Sequence, residues 1–290
     1  MEIRKFQTSD YTLIEAFLTD VKDDAITLDP VSFESLHSAI LEQEVAGIGF
    51  FRRSRLHSHV PRMTIIVHPK FRRRGVGQAI HEVVQSAALQ SGDLGIDSGC
   101  FQQNSAAFGF MQTLGYTHLL NCSIVKFDLD SRRSLIECGP EFRFSQLNEL
   151  FGDLTIVADF LHRCYCRSHE WNPVTISASD QVWKKIAFAD ADPELSTLMF
   201  ESGRLAGAAI SAGLGNDGLE IIWAFVEPMA TEEQQGRAAM LIHEQCRVAK
   251  QKGKTTGMIE VDSVDPVLNS LLKWISPREV QVWQRFRKCR

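Results

Sequence analysis

Apolar positions along this chain alternate between a period of two and a period of three to four, and the alternation lays out its elements. Glu2 to Phe6 reads as a short strand, and Ser9-Asp10 then caps an apolar-periodic helix through Leu13, Ile14, Phe17 and Leu18. A second helical stretch is expected around Phe33 to Ala39. The runs Val45 to Phe51 and Met63 to Val67 predict strands separated by the polar turn Arg52 to His59, and Pro69 closes the second. A Gly-containing loop leads into a helix from about Gly75 to Ser91. A strand near Leu94 to Cys100, a helix from Ser105 to Leu114 and a strand near Ser123 to Leu129 follow.

The order then recurs. The polar stretch from Asp130 to Cys138-Gly139-Pro140 is the best boundary, giving domains over 1–130 and 141–290 with a linker at 131–140. In the second half, Phe142 to Phe144, Leu195 to Phe200, Arg204 to Ser211, Glu220 to Val226 and Met258 to Val261 read as strands. Helices are expected near Leu154 to Tyr165, Arg237 to Lys250 and Pro266 to Trp274. The strand ends Ile66-Val67-His68-Pro69 and Phe225-Val226-Glu227-Pro228 mark the repeat most sharply. Aligned on them, Gly236 falls opposite Gly75 after a loop two residues longer. The fold class is mixed α/β in two similar halves.

Composition narrows the setting. With 290 residues, 44% hydrophobic and 23% charged, the chain has room for two ordinary cores. A net charge of -5 gives no global drive toward nucleic acid, although Arg52-Arg53-x-Arg55 and Arg72 to Arg74 form local basic clusters. The N-terminal residues lack the apolar core of a signal peptide and no apolar run approaches a membrane span, so no membrane partner and a cytoplasmic location are expected. Seven scattered cysteines fit a reducing compartment. His162, Cys166 and His169 share a helix face, but without a CxxC pair they are expected to pack rather than to ligate, and no metal is expected.

The chemistry concentrates at Arg72-Arg73-Arg74-Gly75-Val76-Gly77, straight after a strand and at the opening of a helix. A helix N-terminus offers unpaired N–H groups and partial positive charge, and glycines let a diphosphate come close to the backbone. Arg72, Gly75 and Gly77 match [Gln/Arg]-x-x-Gly-x-[Gly/Ala], and Asn104-x-x-Ala107 with Leu114-Gly115-Tyr116 matches a second signature. On these residues the first half resembles the GNAT superfamily of N-acetyltransferases. The resemblance implies two tandem GNAT-like domains, each with a central mixed, mostly antiparallel sheet flanked by helices. It also implies acetyl-CoA as co-substrate. The amides of Arg74, Gly75 and Gly77 would cradle the pyrophosphate, with Arg72, Arg73, Val76 and Gln78 around them. Val67 would offer backbone hydrogen bonds to pantetheine, and Asn104 and Phe110 would line the thioester end.

By the same resemblance the reaction is direct attack of a primary amine on the thioester. Many members use a tyrosine as general acid four residues before the second-signature Gly, where this chain has Met111, which donates no proton. Cys100 and Ser105 are the nearest groups with a transferable proton, and Asp97 lies on the same strand as Cys100. Thr64, His57, His59 and His68 lie near the expected cleft, with none marked as the base.

The second half keeps one Gly of the loop but places Glu232 and Glu233 before it, which would repel a diphosphate. Asp265, Leu268 and Ser276-Pro277 replace the second signature. Like one domain of tandem members resembling mycothiol synthase, it is expected to support rather than to bind coenzyme. It would shape the acceptor cleft or an oligomer interface, and deleting it is expected to leave coenzyme binding in place. The alternative to an N-acetyltransferase is a catalytically silent acyl-CoA-binding sensor. The acceptor would be a small-molecule or peptide amine, and a homo-oligomer is compatible.

Overall fold

Between His37 and Val67 three strands rich in small and branched residues follow one another, the first two joined by a two-residue turn, and they form the middle of the first sheet. β1 (Glu2–Lys5), β2 (His37–Leu41), β3 (Glu44–Arg52) and β4 (Arg62–Val67) pair antiparallel in that order. α1 (Tyr11–Val21) lies between β1 and β2 in the chain and buries Ile14 and Phe17. β5 (Gly95–Phe101) joins β4 in parallel, which requires a crossover, supplied by α2 (Val76–Ala88). α3 (Ser105–Thr113) follows. The computed structural model describes residues 1–21, 35–132, 139–150, 154–227, 231–272 and 275–290.

The chain divides into a first unit, Met1–Leu119 with Arg285–Arg290, and a second, Leu120–Gln284. β6 (Thr117–Arg132) enters the second unit, which continues through β7 (Phe142–Gln146), α4 (Thr155–Ser168), α5 (Gln181–Phe188), β8 (Thr197–Glu201), β9 (Arg204–Leu214) and β10 (Gly218–Val226). α6 (Thr231–Gln251), β11 (Thr256–Asp262), α7 (Pro266–Leu271) and β12 (Ile275–Cys289) complete the chain. The strand order β6-β11-β10-β9-β8-β7 is antiparallel except for β10 and β11, which run parallel around the crossover α6. Each unit is therefore a mixed, mostly antiparallel sheet with helices, as expected.

Each unit has its own core. In the first, Ile80, Val84, Ile96 and Phe71 are buried with Phe286 from the far end of the sequence. In the second, Phe127, Leu129, Met199, Leu219, Leu241 and Ile259 cluster. No described helix is long and apolar enough to cross a membrane.

Several elements depart from the sequence reading. The expected helix around Phe33 to Ala39 is strand β2 where it is described, because Ser38 and Ala39 pair with β1 along one edge and with β3 along the other; Phe33 lies outside the described residues. α5 and β12 were not expected, and the helix expected from Arg237 begins instead at Thr231. The helix expected to reach Trp274 ends at Leu271, with Trp274 outside the described residues. The units also divide the chain elsewhere than at 131–140. β6 pairs with β11 from Cys122 to Asp128, and the last six residues fold with the first unit. Residues 133–138 of the expected linker lie outside the described residues.

Candidate functional site

The Arg72–Gly77 segment is built by two left-handed residues in a short space. After β4, Pro69–Phe71 makes one 3-10 turn that buries Phe71, and Arg72 is extended. Arg73 has φ of 62° and Gly75, the N-cap of α2, has φ of 79°. A Cβ built on Gly75 meets nothing within 4 Å. Glycine is thus favoured there by the backbone and not by crowding, and there is open space on its side-chain side. Left-handed residues among turn residues point successive N–H groups to one side, which makes an anion-binding concavity.

Gly77 is constrained differently. A Cβ there would stand 3.0 Å from Phe110 Cζ and 3.3 Å from Val67 Cγ2. Three residues expected at the coenzyme site, from β4, α2 and α3, therefore meet. The register of β4 with β5 is the single pair Arg62↔Asp97. One residue further, the Ser98 hydroxyl bridges the seam by donating to the Met63 carbonyl at 3.0 Å. Beyond that the two strands carry no described pairing toward Val67, so the seam opens beside Gly77 and Phe110.

The cations of the loop already have partners. Arg74 Nη2 donates to Glu42 at 2.5 Å, and Lys70 Nζ donates to both Glu44 oxygens at 2.8 and 2.9 Å. The guanidinium of Arg74, through its hydrogen bond and its charge, holds the Glu42 carboxyl below its usual range. These pairs are exposed, so each contributes little and yields readily to a better anion. Arg72 Nε donates to the Val67 carbonyl at 3.1 Å, so that group, expected to serve pantetheine, is engaged. Gln78 donates to Glu82 one turn on at 3.1 Å. The Asn104 side chain caps α3 by accepting from Ala107 N at 3.0 Å.

The expected acid and base residues are placed less favourably. Asp97 is buried, and Arg287 grips both its oxygens at 2.7 and 3.0 Å. Cys100 is buried in the apolar cluster, and burial pushes its thiol up, so it keeps its proton at neutral pH. Met111 lies in the same cluster at 6% exposure, as a packing residue. Ser105 is exposed at the start of α3. His68 Nδ1 accepts from Lys70 N at 3.1 Å and its Nε2 meets Asp20 at 2.6 Å, so both ring nitrogens are occupied. His57 is buried.

One titratable pair escaped the sequence reading. His81, 2% exposed on α2, shares a hydrogen bond with the Tyr116 hydroxyl at 3.2 Å. Burial, assisted by the charge of Lys288 and opposed by Glu82, lowers the His81 pKa to about 4. Burial and then Asp97 push the Tyr116 phenol up. The spacing of α2 gave a signal, since His81 follows Ile80 on the face that buries Val84.

In the second unit α6 begins at Thr231 with Glu232 and Glu233 in its first turn, and Gly236 lies inside the helix. Residues 228–230, which lead into this helix, lie outside the described residues. Among the former metal candidates, His162 Nε2 meets the Ile176 carbonyl at 2.9 Å, and His169 stacks on Tyr165 at 3.9 Å. Arg53, one of the basic cluster, donates to both oxygens of Asp93 at 2.8 and 2.7 Å and holds that carboxyl below its usual range.

Residues 2–116 match the Acetyltransferase (GNAT) family. No curated protein matches the sequence. Among solved structures, a GCN5-related N-acetyltransferase from Sphaerobacter thermophilus superposes with a TM-score of 0.66 at 14% identity, over 99% of this chain and 95% of that one. A tandem GNAT protein from the clavulanic acid biosynthesis pathway gives 0.60 at 13% identity, over 99% and 98%. A GCN5-related glucosamine N-acetyltransferase region of a fungal multi-domain GH3 β-N-acetylglucosaminidase gives 0.68 at 12% identity, over 99% of this chain and 38% of that one. At these identities the likeness concerns the fold.

Proposed function

We propose, from the match of residues 2–116 to the Acetyltransferase (GNAT) family, that the first unit is an acetyl-CoA-dependent N-acetyltransferase acting on a primary amine. The observation that carries this is the loop itself. Gly75 is left-handed, with open space on its side-chain side, and set at a helix N-terminus, and Gly77 lies against Phe110 and Val67 where the β4–β5 seam opens.

The residues fit the coenzyme. The amides of Arg74, Gly75 and Gly77 and the N-terminus of α2 would hold the diphosphate, where the partial positive charge favours an anion. Arg72, Arg73 and Arg74 add charge, and Phe110 and Val67 offer apolar cover for the arm behind it. When bound, acetyl-CoA supplies the acyl group as an activated thioester. The chain's contribution is then to hold and orient it and to let the amine lose its proton; the acceptor is a small-molecule or peptide amine.

A second reading, an acyl-CoA-binding sensor without turnover, draws on a specific observation. Met111 is buried, Cys100 is buried, and Asp97 and His68 are engaged elsewhere, so none of these four is poised as acid or base. Calorimetric titration of acetyl-CoA into the chain and into Gly75→Glu, followed by thiol release against a panel of amines, separates the two. Binding lost in the variant together with thiol release supports the transferase. Binding without release from any amine supports the sensor, and no binding refutes both.

A further inference from the structure

We propose that the last six residues of the chain are part of the coenzyme-binding machinery of the first unit, with Arg287 as a positioning residue. The inference rests on the site reading above and goes beyond it. It follows from where the tail grips. Asp97 is the β5 residue paired with Arg62, the point from which β4 and β5 separate. Its N–H donates to the Pro61 carbonyl at 2.9 Å, and its carboxylate is held by the Arg287 guanidinium at two points. Both side chains are under 10% exposed, at 6% for Asp97 and 9% for Arg287.

Five further contacts seat the tail. Phe286 is 1% exposed and packs edge-on against Phe108 of α3 at 5.6 Å and His118 at 5.4 Å. Lys288 Nζ donates to Gln85 of α2 at 3.3 Å, and Arg290 donates to the Gln90 carbonyl at 3.0 Å. Gly95, at the start of β5, lies so close that a Cβ would stand 2.4 Å from the Lys288 carbonyl oxygen. The tail thus holds α2, α3 and β5 together, and these elements frame the opening beside Gly77. A buried bidentate pair loses heavily when one partner is removed, because the other charge stays buried and unpaired. Coenzyme affinity in the first unit is therefore set in part by residues 285–290.

The expectation that a chain lacking residues 141–290 keeps its coenzyme site is replaced by its opposite, because that deletion removes Arg287. All five tryptophans lie between residues 171 and 283, inside the second unit, so their fluorescence reports chiefly on that unit.

The test uses full-length Arg287→Met, Arg287→Lys and Gly95→Ala beside the unaltered chain. Acetyl-CoA affinity is measured by calorimetry, amide exchange over residues 76–101 by mass spectrometry, and tryptophan unfolding as the control. Expected are exchange over 76–101 faster by on the order of tenfold and a Kd raised about tenfold in Arg287→Met and Gly95→Ala. Arg287→Lys, which keeps the charge, should fall between, and the tryptophan transition should not move. Unchanged exchange and unchanged affinity in both Arg287→Met and Gly95→Ala overturn the proposal. Faster exchange with unchanged affinity overturns the coenzyme role and leaves a purely structural tail. An unaltered chain that does not bind acetyl-CoA overturns the site reading itself, and the exchange results then decide only whether the tail secures β5.

Discussion

Arg73 and Gly75 both adopt left-handed backbone, but only one of them is a glycine. A side chain costs about 1–2 kcal/mol in that conformation, so Gly75→Ala, which meets no neighbour, is expected to lower stability of the first unit by about that amount. Arg73→Gly is expected to raise it by about 1 kcal/mol, and thermal unfolding of the two variants checks both signs. Glu42 competes with an incoming diphosphate for Arg74. Glu42→Gln should tighten acetyl-CoA by up to about fivefold in low salt, the worth of an exposed ion pair, and the gain should vanish in high salt. His81 carries a pH signature. Its folded pKa of about 4 lies below the unfolded value, so the unfolded chain binds the extra proton. Stability of the first unit is therefore expected to be complete above about pH 6.5 and to fall as the pH drops toward 4. Urea midpoints between pH 7.5 and 4.5, compared with His81→Phe, measure this, since the variant should lose that part of the slope. Asp93, held low by Arg53, titrates below the same window and contributes stability that is lost only at lower pH.

Between elements, the decisive contact is that of α2 with α3 through Gly77. Gly77→Val would press on Phe110 and Val67, and overpacking of this kind costs about 1–3 kcal/mol. Acetyl-CoA affinity is expected to fall by on the order of tenfold, with tryptophan unfolding of the second unit unchanged. Calorimetry on the folded variant decides it. The start of α2 was legible because helix capping, glycine and arginine occur together at one strand end. β2 was not, because Leu36 and Ala39 lie at helical spacing and only pairing with β1 and β3 makes His37 to Leu41 a strand. The hairpin that follows turns through Glu42 and Gln43 at φ of 55° and 66°, without the Gly or Asn that usually announces such a turn. α5 did have a local signal, Asp180 capping Val182 N at 2.7 Å and Trp183 with Ala187 on one face. β12 carries Pro277 and little alternation, and its last residues are fixed by Asp97 and Gly95, with Arg287 and Asp97 190 residues apart in sequence.

At the scale of the molecule, the two units share a similar order of strands, and among the described residues a left-handed glycine cap follows the β4 strand of the first unit. Residues read in isolation show the difference in charge and loop length between the halves, because both are local. They missed the tail, because long-range burial of Arg287 leaves no mark on its neighbours. In the second unit β10 and β11 are paired from Gly218↔Thr256 to Ile221↔Ile259 and not beyond, so the wedge between the strands persists. The described residues there disfavour an anion: α6 opens with Glu232 and Glu233, whose charges oppose a diphosphate at the helix N-terminus, and Gly236 sits a turn inside, where its amide is part of the helix. Acetyl-CoA should therefore bind with a stoichiometry of one per chain, and Gly75→Glu should remove that single event. A stoichiometry of two, or binding that survives Gly75→Glu, would assign a working site to the second unit. In that case Glu232→Gln with Glu233→Gln should tighten the residual event by relieving the repulsion. With one site only, the same pair of substitutions should leave both affinity and stoichiometry as they are.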